Sequence, residues 1–123
     1  MKLVVDEPES EALEEYLQQS STRLTSSRVA RIEVTRAVRL ANPSLAVQAA
    51  VRERFEEILL VDVGEVTIEA ACHLASATVR TLDAIHLAAL QLVNPDEAVV
   101  YDRRLIDAAR ALGYRTVSPG AGY

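Results

Sequence analysis

Two short apolar runs, each flanked by helical segments, constrain the fold of this 123-residue chain more than any other feature. Residues 58–61 read Ile-Leu-Leu-Val, and residues 98–101 read Ala-Val-Val-Tyr. Both have the length of a strand, and the uninterrupted run at 58–61 is typical of a strand buried on both faces. Helical periodicity between the strands predicts that they pair in parallel. We therefore expect an α/β protein of three layers, with helices on both faces of a short parallel sheet.

Helix and strand signals alternate along the rest of the chain without a repeat or a long linker. This order predicts a single domain over residues 1–123, with the breaker pair Asn42-Pro43 between two helices and Gly113 ending the last helix. The expected helices cover residues 9–19, 28–40, 44–57, 65–77, 82–93 and 104–112, and further short strands cover 23–26 and 116–117.

Charge and composition limit the class of protein. The net charge of −5 argues against a general nucleic-acid coat protein, but carboxylates that bind a cation would also contribute to it. A strongly basic protein partner also stays open. The apolar start is too short for a signal peptide and no window reaches the ~20 apolar residues of a membrane span, so cytoplasm is expected. Cys72 belongs to no zinc motif and is predicted to be a buried thiol.

Asp102 directly follows the strand predicted at residues 98–101. Ligands of parallel α/β folds bind at the carboxyl ends of strands, so Asp102 is a candidate functional residue. Asp102 could instead cap the helix that follows. Both roles are compatible, because a helix N-terminus keeps a carboxylate ionised for metal binding.

Asp83 lies in the first turn of a helix that is apolar nearly all round, which predicts a central helix. Asp83 could cap this helix or bind a metal. His86 follows three residues later on the same face, either as a second ligand or as a hydrogen-bonded core residue.

Glu33 falls in the same arc of its helix as Val29 and Leu40, a face expected to pack inward. An inward carboxylate must be paired or bound to a cation. The alternative is an ion pair with Arg36 at i, i+3. Three carboxylates from separate elements, with no Cys ligand, suit Mg²⁺ or Mn²⁺, which would activate water for attack on a phosphodiester.

Three segments resemble PIN-domain ribonucleases of the VapC toxin type, and the resemblance covers nearly the whole chain. TSSRVARIEVTRA at residues 25–37 looks like the segment of the second acid of that family. LDAIHLA at 82–88 is similar to the third-acid segment, and YDRRL at 101–105 to the fourth. Pro119-Gly120 fits the closing turn.

This resemblance implies an endoribonuclease toxin that uses Mg²⁺ or Mn²⁺, forms homodimers and is covered by a VapB-type antitoxin. Glu33, Asp83 and Asp102 would then be the metal ligands and catalytic residues. Arg80 and Arg103 would contact the phosphates of the RNA. For His86 the resemblance gives no defined role.

The chain departs from the family pattern in two places. The N-terminal central strand and its Asp are missing, since Met1 opens a stretch like the one that follows them, and Asp6 and Glu7 do not replace that Asp. Such a loss would leave unpaired strand edges. Either a valine codon was read as the start, or a genuine short chain completes its sheet through a partner or a rearrangement. Val100 stands where the family has Thr or Ser.

Three functions compete: an RNA-cutting toxin of impaired activity, a catalytically inactive remnant that binds an antitoxin or dimer partner, and an unrelated α/β enzyme such as a phosphatase or nucleotide binder. The third lacks a Gly-rich phosphate loop. Apolar positions of two helices could form a groove for a partner helix, or could be core or dimer contacts. These positions are Leu13, Leu17, Val47 and Val51.

Overall fold

The computed structural model describes residues 7–19, 24–74 and 79–121. Helices and short strands alternate through these ranges, so the predicted α/β class is confirmed. The elements are α1 (Ser10–Gln19), β1 (Thr25–Ser27), α2 (Arg28–Ala41), α3 (Leu45–Glu56), β2 (Leu59–Val61), α4 (Glu65–Cys72), α5 (Thr81–Val93), β3 (Ala98–Val99), α6 (Arg103–Ala111) and β4 (Thr116–Val117). None of these helices is long and apolar enough to cross a membrane.

The chain divides into two compact units, Met1–Val61 and Asp62–Tyr123. In the first unit β1 pairs in parallel with β2, with Ser26 opposite Leu60. Helices α2 and α3 pack against each other. Fully buried aliphatic side chains from three helices form the core of this unit, as the aliphatic composition predicts. They are Leu13, Val38 and Val51.

In the second unit β3 pairs in parallel with β4, with Val99 opposite Val117. Helix α5 packs against both α4 and α6. Its middle is buried at Leu87, Ala88 and Ala89, as expected of a central helix, while Leu92 and other residues near its ends are exposed.

Two sequence expectations about the sheet have different outcomes. The predicted parallel pairing is confirmed, but the described strands form two separate two-stranded sheets. The missing first strand concerns residues 1–6 and what precedes them, which lie outside the described ranges. The prediction of a single domain stays a prediction, because a division into two compact units does not test it.

Burial contradicts three predictions made from apolar residue type. Leu59 in β2 is 51% exposed, so this strand is not buried on both faces. Cys72 is an exposed thiol at the C-terminal end of α4, and that helix ends there. Leu112, expected to point inward, is 38% exposed. An apolar side chain marks a residue that could be buried, but only a neighbouring element can cover it.

The proposed partner groove is also resolved in favour of the core. Leu13 and Val51 are 6% and 2% exposed, so both are already covered within their own unit. Tyr16 and Leu17 on α1, and Val47 and Phe55 on α3, are half-buried beside them. These positions stabilise the unit and do not form an open groove.

Helix α6 ends in a Schellman motif built on Gly113. Gly113 has φ +93°, in the left-handed region that favours glycine. Its N–H donates to the carbonyl of Arg110 at 2.9 Å, and the N–H of Tyr114 donates to that of Ala109 at 3.0 Å. These two bonds satisfy carbonyls that the helix end leaves open, and they turn the chain into β4.

We predict that Gly113→Ala lowers the free energy of unfolding by about 1–2 kcal/mol, because a Cβ is strained at this φ. No heavy atom lies within 4 Å of the position of that Cβ, so the loss reports backbone strain and not a clash. Gly113→Asn should cost less, since Asn tolerates the left-handed region. Urea unfolding measures both, and equal losses would contradict the explanation.

Candidate functional site

Asp102 lies between β3 and α6 and is the N-cap of that helix. Its backbone is extended, with φ −77° and ψ 125°, and its Oδ1 accepts a hydrogen bond from the N–H of Leu105 at 3.0 Å. The predicted cap is therefore confirmed. The side chain is exposed, and this bond uses only one carboxylate oxygen, so the second oxygen can bind a cation. The N-terminal end of the helix dipole favours the ionised form.

Backbone and side-chain hydrogen bonds fix the chain just before Asp102. The N–H of Val100 donates to the carbonyl of Val117 at 3.1 Å, and the Tyr101 hydroxyl donates to the carbonyl of Pro119 at 2.7 Å. The Ser118 hydroxyl donates to the carbonyl of Val100. Val100 has no side-chain hydroxyl, so Ser118 supplies one to this strand end from β4's side, which sequence spacing alone did not reveal.

Asp83 is the third residue of α5 and is half-buried. The N-cap of this helix is Arg80, with no side-chain cap bond, so the interpretation of Asp83 as the cap is wrong. In the first turn, Asp83 is still stabilised as an anion by the helix dipole. His86, one turn further along, is half-buried and has an interaction partner.

Glu33 lies on α2 in the first unit, is half-buried and has an interaction partner. The expected inward face of this helix was placed wrongly. Leu40 is 83% exposed, whereas Val38 is 1% exposed. At 100° per residue Val38 lies about 140° from Glu33 around the helix axis, so Glu33 is outside the buried stripe.

The three predicted carboxylates are divided between the two units. Asp83 and Asp102 belong to the second unit and Glu33 to the first. Among the described residues, no three His, Cys, Asp or Glu side chains are grouped to hold a metal ion. The donor set nevertheless fits a hard divalent cation in its chemistry, because it consists of carboxylates that are exposed or half-buried. The metal site stays a prediction.

The two predicted phosphate contacts lie at the N-termini of the same two helices as the aspartates. Arg80 is the N-cap residue of α5, and Arg103 is the first residue of α6. Both side chains are exposed, and Arg103 has an interaction partner. Backbone N–H groups and guanidinium groups at a helix N-terminus can both bind phosphate oxygens.

We expect Asp102→Ala to lower the free energy of unfolding by about 1 kcal/mol, because the N–H of Leu105 loses its acceptor. Asp102→Asn should leave stability nearly unchanged, since an amide oxygen caps as well as a carboxylate. Thermal or urea unfolding of the two variants separates the cap from the charge. An equal loss in both variants would show that charge, and not the cap bond, stabilises this end of α6.

Three curated relatives from Mycobacterium tuberculosis are similar to the chain over nearly its full length. Ribonuclease VapC46 is 39% identical over 121 residues, which cover 97% of this chain and 91% of the relative. Ribonucleases VapC47 and VapC35 are 34% and 35% identical over 126 residues, which cover 98% of this chain and 91% of each relative. No family model matches the chain.

Proposed function

The chain belongs to the VapC family of ribonucleases, and from that premise we propose that it is an endoribonuclease toxin of a toxin–antitoxin pair. The resemblance inferred from the three acidic segments is thereby confirmed. The observation that carries the proposal is the similarity to ribonuclease VapC46, at 39% identity over 97% of this chain. RNA is the substrate, and a VapB-type protein is the antitoxin partner of a homodimeric toxin.

We further propose that hydrolysis depends on Mg²⁺ or Mn²⁺ held by Glu33, Asp83 and Asp102. The carboxylate chemistry supports this, as do the positions of both aspartates in the first turns of helices, where the dipole stabilises their negative charge. When bound, the cation would supply an activated water and neutralise charge that develops on the phosphodiester.

The side chains of the chain itself have separate tasks in this mechanism. Asp102 must hold the start of α6 through the bond to Leu105 while keeping an oxygen for the cation. Arg80 and Arg103, exposed at the N-termini of α5 and α6, position the RNA by contacting its phosphates. Their planar guanidinium groups can bind two phosphate oxygens at once, which fixes orientation as well as register.

A second candidate is a non-catalytic PIN remnant that binds an antitoxin or a dimer partner. One observation favours it: the described residues contain no grouping of three potential metal ligands. The two candidates differ in their response to metal, because only the enzyme loses its function when divalent cations are removed.

We predict that the chain cleaves a mixed RNA pool with Mn²⁺ or Mg²⁺ and that a chelator abolishes cleavage. Asp83→Asn should reduce the rate roughly 100-fold or more, because the cation loses a charged ligand worth several kcal/mol in the transition state. Asp107→Asn is the matched control, since Asp107 is an exposed aspartate of α6 outside the proposed site. Gel analysis of the cleaved pool gives both rates.

No cleavage under any metal condition, with a retained antitoxin complex, would identify the chain as the inactive binding module. Equal loss of rate in the Asp83→Asn and Asp107→Asn variants would instead show that the proposed ligand set is wrong.

A further inference from the structure

Helix α2 carries a concentration of positive charge that the proposed metal site does not use. It contains four arginines and one glutamate, a balance of +3 within 14 residues, in a chain whose net charge is −5. At 100° per residue the four arginines fall within an arc of about 140° and span about 16 Å along the helix axis. We call this surface the arginine face; its members are Arg28, Arg31, Arg36 and Arg39.

All four arginines of this face are exposed. Arg31, Arg36 and Arg39 appear in none of the ion pairs or hydrogen bonds between described residues. By contrast, Arg54 on α3 pairs with both Glu14 and Glu57, and Arg115 pairs with Glu97. The charges of α2 are thus available to an external anion, while arginines elsewhere serve internal contacts.

We propose that the arginine face of α2 binds the phosphate backbone of RNA and guides the substrate to the acidic site. The inference rests on the proposed ribonuclease function and extends it to a surface that positions the substrate. Glu33, one proposed metal ligand, lies on the same helix about 60° beyond Arg36. A strand of RNA lying along the arginines would therefore reach that carboxylate without leaving α2.

The type of cation also favours phosphate. Lys2 is the only lysine among the 13 basic residues, so the face is built from guanidinium groups throughout. A guanidinium binds phosphate oxygens bidentately and is weakly hydrated, which makes Arg the better residue for a polyanion backbone. An acidic protein has a particular need for such a local positive field, since its net charge repels RNA.

An acidic protein partner is the competing occupant. Ile32, which is 59% exposed, lies in the middle of the arginine face, and a protein could bury it. Single exposed aliphatic residues are common on surfaces, however, and need no partner to explain them. Four charges repeated along one helix fit a ligand with regularly repeated negative charge, which is the property of a nucleic acid.

The test measures RNA binding, without cleavage, in the presence of a chelator. Fluorescence anisotropy of a labelled single-stranded RNA is followed from about 50 to about 200 mM salt. The variant Arg31→Gln/Arg39→Gln removes two charges distant from Glu33. The control Arg110→Gln/Arg115→Gln makes the same change in charge at exposed arginines of the second unit that already contact Thr116 and Glu97.

We expect the α2 variant to bind RNA roughly tenfold more weakly than the control, since each lost phosphate contact releases fewer counterions. The slope of log affinity against log salt should become shallower by about 1.4, from ~0.7 for each of two contacts. Polyglutamate should compete with the RNA only weakly. Circular dichroism and thermal unfolding check that both variants fold.

Other outcomes are distinguishable. If the chain binds RNA and both variants bind it equally, the arginine face is overturned while the ribonuclease function stands. If the α2 variant loses RNA binding but the parent chain cleaves nothing in the presence of metal, the face is supported and the enzyme fails. Polyglutamate that competes as well as RNA would overturn RNA as the occupant and assign the surface to an acidic protein. No RNA binding at any salt concentration would also overturn the proposal.

Discussion

Parallel pairing of very short strands is the constraint on which the placement of the candidate residues depends. The pair β1–β2 has three residues in each strand and β3–β4 only two. Strands that run in the same direction cannot be joined by a tight turn, so helices must connect them. Helix α2 follows β1 directly, and α6 begins four residues after Val99. This connection places Asp102 at the carboxyl end of a strand, where α/β proteins bind ligands.

Asp102 shows how one side chain can meet a structural and a chemical demand. Its bond to Leu105 satisfies a backbone donor that the start of α6 would otherwise leave open. The same helix start keeps the carboxylate charged, which cation binding also requires. Glu33 lacks this support because it lies in the interior of α2, where its environment is set by side chains around it and not by a helix end.

Charge distribution reconciles an acidic chain with an RNA substrate. A net charge of −5 describes the whole molecule, but recognition depends on the field at one surface. Carboxylates for a cation and guanidinium groups for phosphates must be separated, because direct pairing between them would neutralise both. On α2 the step from Glu33 to Arg36 separates these functions by about 60° around one helix. The sequence argument against a nucleic-acid coat protein is compatible with such a local basic surface.

Local patterns in the sequence determined the helices, the parallel strands, the cap at Asp102, the Gly113 stop and, through three acidic segments, the family. Each depends on hydrogen bonds between residues close in sequence or on periodicity, which neighbouring residues encode directly. Burial was decided only by the tertiary structure: Leu59, Leu40 and Cys72 are exposed, and Val38 is the buried centre of α2. An apolar side chain is covered only where distant segments pack over it, so residue type alone cannot determine which apolar positions form the core.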